Sequence, residues 1–350
     1  MVKSKKTRKR DLSHRRVFVI GAGASASCGI AVARDILQEA VIRLGGKDAS
    51  KRKLVDGLLS YLYPGFNVDL KNYPNIEDFL NLLEMARSFN SEEYIESSLW
   101  SKTRLESVKD VTMKAVTDYL WERIEEGNAL NPMKIFAGKV LKFADTVVTF
   151  NWDVTLERGL WDREDDFRMP YTYRRKRDGK FIAILKPHGS IDWFRAEDLS
   201  KKVRNKTEKL DAEVRLYPHF NFSKHPELAR VLPVIVPPVA SKTFEYECLK
   251  KTWRSIYRAV ADATELYIIG YSLPKEDQFA RLVLRRALRS NLLRTTKGQK
   301  ANLRIMVVNP DETMGTTFTR LAGPKVSVTY YQAKLEDYVE WLDPWKSESN

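Results

Sequence analysis

Short apolar runs alternate along the chain with longer stretches of helical spacing. Val17-Phe18-Val19-Ile20 is the first run, and it ends in Gly21-Ala22-Gly23-Ala24-Ser25. Ile30, Ala33, Ile36, Leu37 and Val41 then recur at helical intervals. Residues 47–53 are polar and read as a loop. Leu54 to Tyr63 is a short apolar stretch closed by the turn signal Pro64-Gly65. Asn75 opens a strong helix: it can cap, Glu77 and Asp78 suit the positive end, and Ile76, Phe79, Leu80 and Leu83 form one face. Helical spacing resumes from about Glu92 to Glu126 and stops at Gly127-Asn128.

Strand patterns return with Thr146-Val147-Val148-Thr149-Phe150, followed by Asn151-Trp152-Asp153 and a short helix to Leu160. Residues 161–180 are charged and aromatic and read as a loop or hairpin. Ile182 to Leu185 is a short strand ending in Lys186-Pro187-His188-Gly189-Ser190. Residues 195–232 are polar and irregular, and Val234-Ile235-Val236 follows. Two strand–loop–helix units come next. Leu266 to Ile269 runs into Gly270-Tyr271-Ser272-Leu273-Pro274 and a helix over about 275–289; Arg304 to Val308 runs into Asn309-Pro310-Asp311. Val326 to Thr329 and an amphipathic end helix over about 335–341 complete the pattern.

Strands alternating with helices predict an α/β fold: a Rossmann-like, doubly wound parallel sheet. The expected layout is a basic tail at 1–13 and one domain over 14–345. That domain carries a helical insertion at about 51–128 and an irregular one at about 195–232. Ligands of such sheets bind at the carboxyl ends of the strands. The unusual polar motifs fall at those ends.

Composition narrows the field. The chain has 350 residues, enough for one large core or two smaller ones, and no apolar run approaches the roughly 20 residues of a membrane span. Its net charge is +14, of which the first ten residues supply six, so the folded part is basic as well. This favours anionic ligands or polyanionic partners. The tail has no apolar segment after it and is not a secretory signal. It reads as a solvated extension that could touch nucleic acid or a partner. Cys28 and Cys248 form no paired motif, so neither a disulfide framework nor a four-cysteine zinc site is expected, and a reducing, cytoplasmic setting fits.

A strand feeding a glycine turn and a helix N-terminus is a phosphate cradle, in which backbone N–H groups and the helix dipole meet an anion. Gly21 to Ser25 therefore reads as a nucleotide site, for NAD. It lacks the third glycine of the dehydrogenase fingerprint. Taken singly, the other motifs have plain readings: His188 as a loop histidine bonded to backbone, Asn151 as a turn or cap residue, Asp153 as a helix-start acid. His14, His219 and His225 have no motif context.

Taken in order, the set is more specific. Gly21-Ala22-Gly23-Ala24-Ser25 with Gly29-Ile30 and Arg34, then Thr149-Phe150-Asn151-Trp152-Asp153, His188-Gly189-Ser190, Gly270-Tyr271-Ser272-Leu273 and Val308-Asn309 resembles the sirtuin family. The closer likeness is to the divergent sirtuin-like domains of prokaryotic anti-phage defence. The resemblance implies that Gly21, Ala22, Gly23, Ala24 and Ser25 surround the pyrophosphate of NAD+. Arg34 stands where sirtuins carry the arginine of their Gly-Ile-Pro-Asp-Phe-Arg segment. Asn151 and Asp153 would line the nicotinamide–ribose pocket, and His188 would be the catalytic histidine. Gly270 and Ser272 would meet the phosphates or the adenosine ribose, and Asn309 the adenosine ribose.

Two departures matter. The zinc ribbon of sirtuin deacetylases cannot be built here, and Ala31-Val32-Ala33 replaces the Pro-Asp-Phe that shields their sugar intermediate. Both favour water as acceptor. The resemblance thus implies an NAD+ hydrolase that gives ADP-ribose and nicotinamide without a metal, depleting NAD in abortive infection. Such an enzyme must be held in check. A homo-oligomer is expected, with a partner in trans: a HerA-type DNA-translocating ATPase or an Argonaute-like sensor. The alternatives are a sirtuin-type deacylase or ADP-ribosyltransferase, and a non-catalytic subunit that binds NAD or ADP-ribose.

Overall fold

The computed structural model describes residues 15–89, 99–126, 131–161, 181–217, 226–237, 246–296 and 303–340. The tail at 1–13, His14, His219, His225 and most of 161–180 lie outside them.

Six parallel strands form the central sheet: β1 (Arg16–Ile20), β2 (Thr146–Thr149), β3 (Ala183–Leu185), β8 (Glu265–Ile269), β9 (Arg304–Val308) and β10 (Ser327–Tyr331). Their order is β10-β9-β8-β1-β2-β3. The chain runs outward from β1 to β3 on one side and from β8 to β10 on the other. The order therefore reverses between β1 and β8, which pair from Arg16↔Glu265 to Ile20↔Ile269. That reversal opens a crevice at the carboxyl ends, the place where doubly wound sheets bind ligands.

Alternation along each strand splits the core into two layers. Val17, Val19, Leu266, Ile268, Ile305 and Val307 face one helical layer. Phe18, Ile20, Tyr267, Ile269, Met306 and Val308 face the other. Phe18 stacks on Tyr267 across the strand pair with ring centroids 4.6 Å apart.

The helices are α1 (Ala22–Ala26), α2 (Ile36–Lys47), α3 (Ala49–Leu62), α4 (Ile76–Phe89), α5 (Lys102–Glu126), α6 (Asn131–Ile135), α7 (Thr155–Trp161), α8 (Lys201–Arg204), α9 (Glu247–Asp262), α10 (Gln278–Thr296), α11 (Thr313–Ala322) and α12 (Leu335–Glu340). The expected helix after the glycine turn is broken in two. Gly29 adopts φ +74°, so Ile30 and Ala33 lie in the connection and α2 begins only at Ile36. The polar stretch at 47–53 is not a loop. Asp48 alone separates α2 from α3 and caps α3 by accepting from the Lys51 N–H at 3.1 Å. Helices α2 to α5 share one apolar cluster that already includes Ile30, ahead of the expected start at 51.

The stretch expected to be irregular, about 195–232, holds two strands of a second sheet. It is antiparallel, in the order β5-β6-β4-β7, from β4 (Gly189–Arg195), β5 (Glu208–Lys209), β6 (Val214–Leu216) and β7 (Pro233–Ile235). Strands of two or three residues are too short to show alternation. Trp193, Leu210, Val214, Leu216 and Val234 pack beneath it with Cys248 and Leu249. Helix α9, absent from the expected elements, supplies those last two residues. It also turns Trp253, Ile256 and Val260 onto the main sheet.

Candidate active site

The crevice between β1 and β8 contains a cavity of about 590 Å³. Ala22, Ser25, Ile30, Ala31 and Ala33 form one side; Phe150, Asn151, Trp152, Asp153 and His188 form the floor. Tyr271, Pro274 and Asp277 follow β8, while Ile36, Ile76, Glu77 and Leu120 close the cavity from the helical layer. Five of the residues singled out in the sequence thus share it: Ala22, Ser25, Asn151, Asp153 and His188.

Asn151 is buried at the end of β2. Its amide nitrogen donates to the Gly21 carbonyl at 3.0 Å and to Ser25 Oγ at 2.8 Å. Ser25 Oγ lies 3.2 Å from Thr155 Oγ1, which donates to Asp153 Oδ1 at 2.5 Å. Thr155 gives its single hydroxyl proton to Asp153, so the Ser25 hydroxyl is the donor to Thr155. The hydrogen bonds therefore run in one direction from Asn151 to the Asp153 carboxylate. The Asn151 carboxamide oxygen meets no donor among the described residues. Asp153 Oδ1 also accepts from the Thr155 N–H at 2.9 Å, so this acid does start α7.

Lys186, at the end of β3, is fully buried. It donates to the Asp153 carbonyl at 2.5 Å and to Glu157 Oε1 on α7 at 2.9 Å. The Trp152 carbonyl accepts from the Ile191 N–H at 3.0 Å, which ties the Asn151 loop to β4.

His188 opens β4. Its Nε2 lies 2.7 Å from Asp277 Oδ2, and both side chains are buried. The ring tilts against Phe150 and meets the edge of Trp253, with centroids 5.4 and 5.9 Å away. Asp277 escaped the sequence reading. The signal that could have found it is an acid between a strand-end loop and the apolar helix that begins at Gln278. It caps α10 by accepting from the Ala280 N–H at 3.0 Å with Oδ1, which leaves Oδ2 for the histidine.

Tyr271 belongs to the motif after β8, which by itself assigns it no role. Its ring stacks on Phe150 at 4.3 Å, and its buried hydroxyl has no hydrogen-bond partner among the described residues. Burial, reinforced by the Asp277 carboxylate, pushes that phenol well above its ordinary range. It is a donor in search of an acceptor within the cavity wall.

The glycine turn differs from the expected cradle. The Gly21 N–H donates to the Ile269 carbonyl at 3.1 Å and the Gly23 N–H to the Gly270 carbonyl at 2.9 Å, so neither faces an anion. With five residues, α1 aligns few peptide dipoles. These glycines let two strand-end loops interlock. A methyl on Gly21 would stand 2.6 Å from Tyr271 Cα, and one on Gly270, at φ +59°, 2.3 Å from the Ala24 nitrogen. Ala24 is buried in the core. Arg34 is exposed and pairs with Asp35 at 3.0 Å, outside the cavity lining. Ser272 is exposed beyond β8. Asn309 ends β9 and accepts from the Asp311 N–H at 3.0 Å. Among the described residues, no group of three or more His, Cys, Asp or Glu side chains is placed to hold a metal.

These features define an α/β protein with a polar–aromatic cavity at the switch point of a doubly wound sheet. No protein-family model matches the chain. No curated protein sequence matches it either. Among solved structures it is similar to a mutant Sir2 homologue in complex with ADP-ribose, at 16% identity and a TM-score of 0.40, covering 94% of this chain and 90% of that one. It is similar too to a Sir2–p53 peptide–NAD+ complex, at 14% identity and a TM-score of 0.35, covering 99% of this chain and 100% of the other. The strand order, rather than these likenesses, defines the fold.

Proposed function

We propose that the chain is an NAD+ hydrolase that cleaves the nicotinamide–ribose bond and releases ADP-ribose and nicotinamide. The observation that carries the reading is the convergence of Asn151 and His188 on one cavity at the switch point, with a buried carboxylate bonded to the histidine. In the reaction the glycosidic C–N bond breaks and its electron pair leaves with nicotinamide, which becomes neutral. Positive charge builds on the ribose. A water oxygen forms the new bond to that carbon, and its proton passes to His188. With Nε2–H held by Asp277, the other ring nitrogen carries the lone pair that accepts it. The free oxygen of Asn151 suits a ribose hydroxyl or the attacking water. Asp153 stabilises the developing cation. Phe150, Trp152 and Tyr271 offer flat faces for a pyridinium ring.

The polar groups of the cavity suit the nicotinamide riboside half. The reading extends to NAD depletion in anti-phage defence by a homo-oligomer switched by a partner in trans, an ATPase or nucleic-acid sensor.

The test is chromatography of NAD+ incubated with the protein, alone and in its activated assembly. Equal amounts of ADP-ribose and nicotinamide are expected, with both lost in Asn151→Ala and His188→Ala. Turnover that survives both substitutions overturns the site. Products appearing only with an acylated peptide, as O-acyl-ADP-ribose, would make the chain a deacylase instead.

A further inference from the structure

Helices α9 and α10 leave a groove of about 1,020 Å³ between them. Its walls follow helical spacing: Lys250, Trp253, Arg254, Tyr257 and Arg258 on one helix, and Phe279, Leu282, Val283 and Arg286 on the other. The floor is apolar. Leu282 is 51% exposed, whereas Trp253 is 4% exposed and shows solvent almost nothing. The rim is cationic, and among the described residues no acid lines it. Glu247 reaches only Arg254 and Lys250, at 3.7 and 3.8 Å. Arg258 and Arg286 have no carboxylate partner among the described residues.

Helix α10 strengthens the point. Its sequence carries Arg281, Arg285, Arg286, Arg289 and Arg294 and no Asp or Glu. Like charges four apart, as in Arg281/Arg285 and Arg285/Arg289, weaken a helix by a few tenths of a kcal/mol per pair. A helix selected only for stability would intersperse acids.

We propose that this groove docks an acidic amphipathic helix of a partner protein, apolar face down on Leu282, Phe279 and Tyr257 and carboxylates toward Arg254, Arg258 and Arg286. The stretch from Lys250 to Arg258 spans roughly 12 Å at helical rise, room for about two turns of a bound helix. The aliphatic floor favours protein over nucleic acid. A phosphate backbone gains nothing from an exposed leucine, and the one tryptophan is too buried to stack on a base. This proposal is independent of the hydrolase reading, because docking is measured without NAD.

The probe is a fluorescent helical peptide of roughly 15 residues, leucine on one face and glutamate on the other, titrated into the full chain by anisotropy. Saturable binding is expected, weakened about tenfold or more by Leu282→Glu and by Arg254→Glu with Arg286→Glu. Unchanged melting temperatures show that these exposed substitutions leave the fold intact. A lysine-for-glutamate peptide and a scrambled acidic peptide are expected not to bind. The proposal is overturned by absent binding, by equal binding to the variants, or by equal binding of the scrambled peptide. It also falls if a single-stranded oligonucleotide binds this face more tightly than the peptide. Self-association of the wild-type chain that Leu282→Glu abolishes would assign the groove to a second copy and overturn it too.

Discussion

His188 and Asp277, 89 positions apart in sequence, meet with Nε2 2.7 Å from Oδ2. Two elements bring them together. His188 leads into β4 of the antiparallel sheet, and Asp277 caps α10 after β8 of the parallel one. The carboxylate divides its oxygens between the Ala280 N–H and the imidazole. The bond that starts the helix therefore also fixes the ring.

Asp277→Asn separates those two duties. An asparagine oxygen still caps α10, so the melting temperature should move by no more than about 2 °C. Its amide nitrogen cannot accept from Nε2–H and instead donates to that nitrogen, which holds the imidazole in the wrong tautomer. In the proposed reaction, turnover is expected to fall by up to about 10⁴-fold, the loss that follows when a buried aspartate behind a catalytic histidine becomes asparagine. Steady-state rates beside a thermal melt decide it. Activity within twofold of wild type would remove Asp277 from the mechanism.

Asn151→Ala is expected to cost stability as well as turnover. It strips the Gly21 carbonyl and Ser25 Oγ of a buried donor. The Gly21 carbonyl keeps the Ala24 N–H and Ser25 Oγ keeps Thr155, so each lost bond costs roughly 0.5–1.5 kcal/mol. Urea unfolding of Asn151→Ala against Asn151→Asp reads the difference. The aspartate keeps the volume but offers no donor, so it should be no more stable than alanine.

The sequence carried the parallel sheet plainly. Val17–Ile20, Val147–Val148, Leu266–Ile269 and Ile305–Val308 are continuous apolar runs, the pattern of strands covered on both faces. The floor of the site was legible for the same reason, because Asn151 and His188 stand directly after such runs. The antiparallel sheet was hidden because β5 and β6 have two and three residues. Helix α9 was hidden because its cations interrupt the apolar positions, although Leu249, Trp253, Ile256 and Val260 keep helical spacing. Asp277 was invisible because its role depends on a residue brought near only by the fold. The glycines were legible as a turn but not as an interlock. A single strand gives no hint of the loop that packs on it.

Gly270→Ala tests that interlock. Alanine must adopt φ +59° and place its methyl 2.3 Å from the Ala24 backbone nitrogen. Backbone cannot yield as a side chain can. The positive φ alone costs roughly 1 kcal/mol or more, and the clash adds to it. The variant is expected to melt well below wild type or to fail to fold, as circular dichroism would show. A melt within about 1 °C of wild type would mean that the two loops do not pack this closely in solution.

Lys186 and Glu157 are a fully buried ion pair, with the lysine also holding the Asp153 carbonyl. Breaking one half leaves an uncompensated charge. Lys186→Met is therefore expected to cost roughly 3–5 kcal/mol. Adding Glu157→Leu removes the stranded carboxylate and should recover part of that loss, measured as the coupling in a double-mutant cycle. Additive losses would show that the two charges do not interact across 2.9 Å.

Alkaline pH should destabilise the protein through groups that burial keeps protonated. Burial pushes the Cys28 thiol up to about 12 and the Tyr338 phenol up to about 12. In the unfolded chain these groups ionise near their ordinary values, roughly 8.5 and 10. Below those values both states hold the proton and the full stability is present. Between them and about pH 12 the unfolded state holds fewer protons, so stability falls as pH rises. Urea midpoints measured from about pH 7 to about pH 11 should decline progressively above about 8.5, with a shallower early slope in Cys28→Ala. The same burial predicts that Cys28 resists alkylation at neutral pH until the chain is unfolded, as mass spectrometry of alkylated protein with and without denaturant would register. Rapid alkylation of Cys28 in the native protein would contradict its place in the core beside Met133.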